Sequence, residues 1–350
     1  MSRIYMNHYD DFGCGYYRCS LPVFHCYGDL AKSGTYVQLQ RELHSEENNF
    51  DAYIFHRIPQ ETAIFFLQKI QERGKKYVIE VDDDLHNIPD WMPSEEYHNT
   101  KWSLNKSLEI ANEIWVSTQA LADAIGRPEK THVLPNLVDV NAFPKPRQPD
   151  GNNPIRVLWA GSNWHDKDLE QLVEPVERLM AEYGDAVQFL FWGCLPEAFA
   201  DFEKVPGKNI ATLRQKAKYG TRLLYLDGVQ FRYYFDRMVG VTPTIGLCPL
   251  TDCKFNQSKS NLKFLEYSMA GAATVATRLT PYECVEDGKD GLLVNPGDTE
   301  GWYKAIKTLI DNQSLRKELV ANAREKVCEQ YSWQSQNKRN LWLDAFKRLV

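Results

Sequence analysis

Short apolar runs recur along this chain, with stretches of helical periodicity between them. AYIF (Ala52–Phe55), YVIEV (Tyr77–Val81), IWVS (Ile114–Ser117), VQFLFW (Val187–Trp192), LLYL (Leu223–Leu226) and TIGLCP (Thr244–Pro249) span four to six residues each. Runs this short and this apolar suit strands buried on both faces. Between them, Gln60–Gly74 places Ile64, Leu67 and Ile70 on one helical side, and Asp168 opens a helix whose Leu169, Leu172, Val173 and Val176 face a core. Strand–helix alternation of this kind builds parallel sheets with helices on both faces, so the chain is expected to be α/β. At 350 residues it exceeds one comfortable core, and two doubly wound domains follow. The Pro-, Gly- and Asn-rich stretch Lys145–Pro154 lacks apolar periodicity and is the expected linker, giving domains 1–150 and 151–332.

The net charge of −6 argues against a surface devoted to nucleic acid, although it leaves room for a local basic groove. No apolar run approaches the roughly 18 residues that cross a membrane, and the first residues carry no signal-peptide pattern, so a cytoplasmic protein is expected. The eight cysteines are scattered singly without a Cys-x-x-Cys pair, which fits reduced thiols. A metal site on Cys14, Cys19, His25 and Cys26 is an alternative that their irregular spacing disfavours.

SKSNLKFLEYSMAGAATVAT, from Ser258 to Thr277, carries the strongest chemistry. As a helix from Ser258 to Ala270 it sets Lys259, Lys263 and Glu266 on one stripe, with Leu262, Leu265 and Met269 on another, turned by roughly a hundred degrees. Ser258 is the expected N-cap and Gly271 the C-cap, followed by a strand from Ala272. Lysines near a helix N-terminus suit a diphosphate, since free N–H groups, dipole and ammonium all favour an anion. A carboxylate two turns on can accept hydrogen bonds from a ribose diol. An ordinary amphipathic surface helix has the same spacing.

Two further places draw notice. Arg3–Met6 feeds a loop in which Gly13 and Gly15 permit close backbone approach, while Tyr16, Tyr17 and Arg18 offer stacking and charge. At the end of Tyr77–Val81 stand Asp82, Asp83 and Asp84, read as a divalent-metal pair, as substrate or catalytic contacts, or as turn caps.

The segment from Ser258, with YECVEDGKDGLLVNPGD from Tyr282, resembles the donor-binding half of family 4 glycosyltransferases (glycosyl transferases group 1), which have the GT-B fold. Glu266 matches the second of that family's paired glutamates, the one holding ribose. The first would fall at Ser258 and is missing. Glu283, Gly288 and Gly291 match the later turn and strand, and LPNLVDVNAF (Leu134–Phe143) resembles the end of the family's first domain. The Gly-Arg pair that neutralises the leaving diphosphate is broken, because Ser162 stands where the arginine would be; Lys167 matches the family's lysine. The sequence is thus a divergent example, compatible with a phage-type enzyme.

The resemblance implies two Rossmann-like domains facing across a cleft, with a C-terminal helix, 333–350, returning to the first. It implies transfer of a sugar from a UDP- or GDP-linked donor to an acceptor hydroxyl, with retention, without a metal ion and without a tightly bound cofactor. Lys167, Lys263, Asp82 and His165 are the expected catalytic residues. Gly13, Gly15, Ser162, Lys259, Ser260, Lys263, Glu266 and Glu283 are the expected donor contacts. The acceptor stays open between a glycan and a hydroxymethylated DNA base. A catalytically silent nucleotide-sugar-binding protein, or a non-transferring enzyme of this fold, is the competing reading, motivated by the missing arginine and glutamate.

Overall fold

The computed structural model describes residues 1–8, 12–40, 49–57, 61–92, 101–146, 154–204 and 211–350. The first six strands are β1 (Ser2–Asn7), β2 (Thr35–Gln40), β3 (Ala52–His56), β4 (Lys76–Val81), β5 (Glu113–Val116) and β6 (Thr131–Val133). They form one sheet in the order β2-β1-β3-β4-β5-β6, parallel at every pairing. The remaining strands are β7 (Ile155–Ala160), β8 (Val187–Trp192), β9 (Ala200–Lys204), β10 (Ala211–Gln215), β11 (Leu223–Leu226), β12 (Ile245–Cys248), β13 (Ala273–Thr277) and β14 (Leu292–Val294). Six of these make a second parallel sheet, β11-β8-β7-β12-β13-β14. The chain is α/β, as the alternation predicts. β9 and β10 pair as an antiparallel hairpin between β8 and β11 in the chain.

Compactness divides the chain into two units: residues 1–140 with 253–260 and 328–350, and residues 141–252 with 261–327. The linker expected at Lys145–Pro154 falls largely on 147–153, outside the described residues. A single cut near 150 also misses the short excursion Cys253–Ser260, which belongs with the first unit. Side-chain contacts explain this placement. Thr118 Oγ1 donates to the Ser258 carbonyl at 2.8 Å, Asn136 Nδ2 to Ser260 Oγ at 3.0 Å, and the Lys259 ammonium lies 3.4 Å from Asp83. Helix Gln336–Arg348 packs within the same unit, where Trp342 and Phe346 lie against Trp115.

Those contacts overturn the helix expected from Ser258. The chain forms a short helix, Lys254–Gln257, ends it at Ser258, and starts a new one at Leu262–Ala270 with Asn261 as N-cap. The Ser258 carbonyl is taken by Thr118 and so is withdrawn from a continuous helix. Lys259 therefore does not share a stripe with Lys263 and Glu266. Nor is the second helix amphipathic: Phe264 through Ala270 are all buried. Gly271 does close it in the left-handed region, φ +83°.

The core of the second unit is built on Trp159, Phe189, Phe191, Leu179 and Trp302, all fully buried. Asp298 caps the helix Thr299–Asp311 by accepting from Gly301 N–H at 2.8 Å. On β12, Gly246 is required by the Tyr267 ring, which occupies the space a Cβ would need.

Candidate active site

In the second unit, chemistry gathers where β7 and β8 end. Gly161 N–H donates to the Trp192 carbonyl at 2.9 Å, tying the two strand ends together. A Cβ on Gly161 would stand 2.7 Å from the Trp159 ring and 3.2 Å from Lys263 Nζ. Glycine thus lets the lysine of helix Leu262–Ala270 approach the end of β7. The ammonium lies 5.6 Å from the Trp159 ring centroid. His165 packs edge-on against the same indole, ring centroids 5.7 Å apart. Its Nδ1 is 2.7 Å from Asp168 Oδ2, and Asp168 Oδ1 accepts from Thr251 N–H at 2.7 Å. Both His165 and Asp168 are buried, so the imidazole is held by a fixed carboxylate. The contact fixes the orientation of the ring at the end of β7.

One turn along the helix from Lys263, Glu266 is 5% exposed and accepts a hydrogen bond from the Tyr234 hydroxyl at 2.9 Å. Burial, and then the neighbouring Glu266 charge, push the Tyr234 phenol well above its ordinary value. It is therefore a donor in this pair. Burial also pushes the Cys248 thiol up to about 12, although the Lys263 ammonium pulls against it. Asn261, the N-cap, donates from Nδ2 to Cys284 Sγ at 3.3 Å, which ties the turn holding Glu283 to the start of this helix.

The sequence-derived candidates separate into groups. Lys263 and His165 converge on Trp159, with Glu266 on the same helix as Lys263. Ser162 precedes the turn Asn163–His165 with extended backbone, φ −82° and ψ 169°. Lys167 pairs with Glu170 at 2.5 Å and is 46% exposed. Glu283 is exposed at the end of the turn Thr280–Tyr282. Lys259 and Ser260 belong to the first unit, where Lys259 also lies over the Phe255 ring.

Gly13 and Gly15 do not form a loop. They make the first turn of a helix, Gly13–Gly15, that runs on as a π-helical stretch, Tyr16–Ser20, into Leu21–Lys32. Arg18 is not offered to a ligand either. It is 1% exposed, its Nε donates to Glu80 Oε1 at 2.6 Å, and its Nη1 donates to Leu134 O and Asn136 Oδ1.

The three aspartates after β4 part company. Arg57, held at φ +51°, donates from Nε to Asp82 Oδ1 at 2.6 Å and from Nη2 to Asp83 Oδ2 at 2.7 Å. Asp84 closes a turn through His86 N–H and Asn87 Nδ2. Burial would raise the Asp82 carboxyl, but the Arg57 guanidinium, aided by His56, holds it well below the usual range. One cluster among the described residues, His56, Glu80 and Asp82, has ligand atoms all within 4.8 Å of one another. Arg18 and Arg57 already neutralise its two carboxylates, which opposes a dication there.

The comparisons with known proteins bear mainly on the second unit. Residues 154–312 match the family described as "Glycosyl transferases group 1". The chain is a divergent GT-B protein resembling the group 1 glycosyltransferases. The group 1 match takes in β7, β8, Trp159, His165, Lys263 and Glu266 together. Over 87 residues the chain is 34% identical to a lipopolysaccharide core biosynthesis glycosyltransferase, LpsE, of Rhizobium meliloti; the alignment spans 25% of this chain and 24% of LpsE. Solved structures share the fold at low identity. Sucrose-phosphate synthase from Thermosynechococcus elongatus superposes with a TM-score of 0.67 at 13% identity, covering 100% of this chain and 99% of that one. HepE of Anabaena, solved with UDP-glucose, gives 0.66 at 14% identity, covering 99% and 100%. Sequence reasoning did not place Trp159 beside Lys263 or Tyr234 beside Glu266. Aromatic residues in apolar runs carry no mark that separates a core ring from one beside a lysine or glutamate.

Proposed function

We propose that the chain transfers a sugar from a UDP- or GDP-linked donor to an acceptor hydroxyl, with retention and without a metal ion. The observation that carries this is the helix Leu262–Ala270, which sets Lys263 near its N-terminus beside Gly161 and Glu266 one turn on, within the group 1 match. Lys263 and the Asp168-held His165 stabilise charge on the departing diphosphate, where preorganised cations contribute most. They stand in for the arginine replaced by Ser162, and Lys167 adds a more distant charge. Glu266 accepts the ribose hydroxyls. Asp82, at the end of β4, contacts the acceptor in the first unit. Kinship with a lipopolysaccharide core transferase favours a glycan acceptor over a DNA base. The free thiols suit a cytoplasmic enzyme.

The test is incubation with radiolabelled UDP- and GDP-sugars in the absence of acceptor. Slow release of free sugar, with the product anomer read by NMR once an acceptor is found, is expected. Glu266→Gln should raise the donor KM tenfold or more with the fold intact, since hydrogen bonds to a charged group contribute roughly 1.5–3 kcal/mol. A protein that binds a sugar nucleotide without hydrolysing or transferring it would be a silent member of the fold, and one that binds none would overturn the proposal.

A further inference from the structure

Tyr234 is the first residue of helix Tyr234–Gly240, and its ring is held from several directions. It stacks on Trp192 with centroids 5.0 Å apart and 30° between planes, and on Phe231 at 5.1 Å and 16°. Phe235 meets it edge-on at 5.5 Å and is itself packed on Phe143 at 4.4 Å. Trp192 is pinned in turn, its Nε1 donating to the Asp227 carbonyl at 2.9 Å. A ring so enclosed presents its hydroxyl in one direction, and that direction is Glu266 Oε2, 2.9 Å away.

We propose that Tyr234 is a positioning residue for Glu266 and, through it, sets the preference for ribonucleotides over deoxyribonucleotides. This rests on the reading of Glu266 as the ribose-binding carboxylate. A glutamate has three rotatable bonds, and fixing them is part of what any ligand must overcome. The Tyr234 hydroxyl fixes the carboxylate beforehand and engages Oε2, so that Glu266 meets a ribose diol in a set orientation. Burial holds the phenol well above its ordinary value, so Tyr234 is the donor in this contact.

The test is calorimetric binding of UDP and GDP and of their 2′-deoxy forms to wild-type protein and to Tyr234→Phe, which keeps the ring stack and removes one oxygen. Wild type is expected to favour the ribonucleotide by tenfold or more. In Tyr234→Phe that ratio should fall to about two- or threefold, with donor KM rising more than kcat falls and the melting temperature held. Glu266→Gln should collapse the same ratio, and the double variant should add no further loss, because the two residues act as one unit. A wild-type protein that binds both sugars equally would refute the ribose assignment of Glu266 itself. Intact discrimination in Tyr234→Phe, or tighter ribonucleotide binding, would overturn the positioning role alone. So would a melting temperature more than about 5 °C lower, which would make the hydroxyl a prop of the core.

Discussion

The Lys263 ammonium lies 5.6 Å from the centre of the Trp159 ring, in space left open by Gly161. A cation over an indole face gains roughly 0.5–2 kcal/mol, enough to hold the amine at the end of β7 before any anion arrives. Lys263→Ala is expected to lower turnover about 100-fold, the usual loss for one preorganised charge donor. Its melting temperature should barely move, because the residues that bury this helix are Phe264 through Ala270. Ser162→Arg should raise turnover or donor affinity. Wild-type turnover in Lys263→Ala would show that the diphosphate is bound elsewhere.

Activity is expected to survive prolonged dialysis against EDTA. His56, Glu80 and Asp82 have the spacing of metal ligands, but both carboxylates already face guanidinium groups. Loss of turnover on chelation, restored by manganese or magnesium, would mean that a dication displaces those arginines.

Breaking the buried pair Arg18–Glu80 should be costly. Both side chains are almost fully buried, and Arg18 also donates to Leu134 O and Asn136 Oδ1. Arg18→Met leaves the buried Glu80 carboxylate with His56, 3.4 Å away, in place of a guanidinium, and is expected to destabilise the protein by about 3–5 kcal/mol. Adding Glu80→Gln should recover much of that, measured by urea denaturation. A single variant with an unchanged midpoint would make this pair a surface-like contact.

Acid stability should report Asp82. Its folded-state value is depressed, so its contribution is fully present above the unfolded carboxyl value of about 3.9 and lost as pH falls through the lower folded value. Melting curves of wild type and Asp82→Asn should therefore stay apart from pH 7 to about pH 4, the gap varying near neutral pH as His56 beside Asp82 titrates, and converge below it. Convergence between pH 7 and 5 would contradict the Arg57–Asp82 assignment.

Sequence alone determined the elements whose cause is local. Continuous apolar runs such as VQFLFW cannot stay in water and return as β8 over the same residues, and Gly271 ends its helix because it tolerates positive φ. Glu266 stood out because its neighbours resemble a known donor-binding segment, and its ribose role rests on that resemblance as a proposal. What tertiary structure decided lies wherever a distant partner outbids a local preference. Lys259 and Lys263 have helical spacing, yet Thr118, some 140 positions away, takes the Ser258 carbonyl and separates them. Arg18 reads as a ligand-facing cation beside two glycines until Glu80, Leu134 and Asn136 claim its guanidinium. A partner of Glu266 is likewise a tyrosine 32 positions earlier, delivered by a ring stack that no local periodicity encodes. Hydrogen bonds and ion pairs are satisfied by whichever group the fold brings near, and that choice belongs to packing rather than to spacing along the chain.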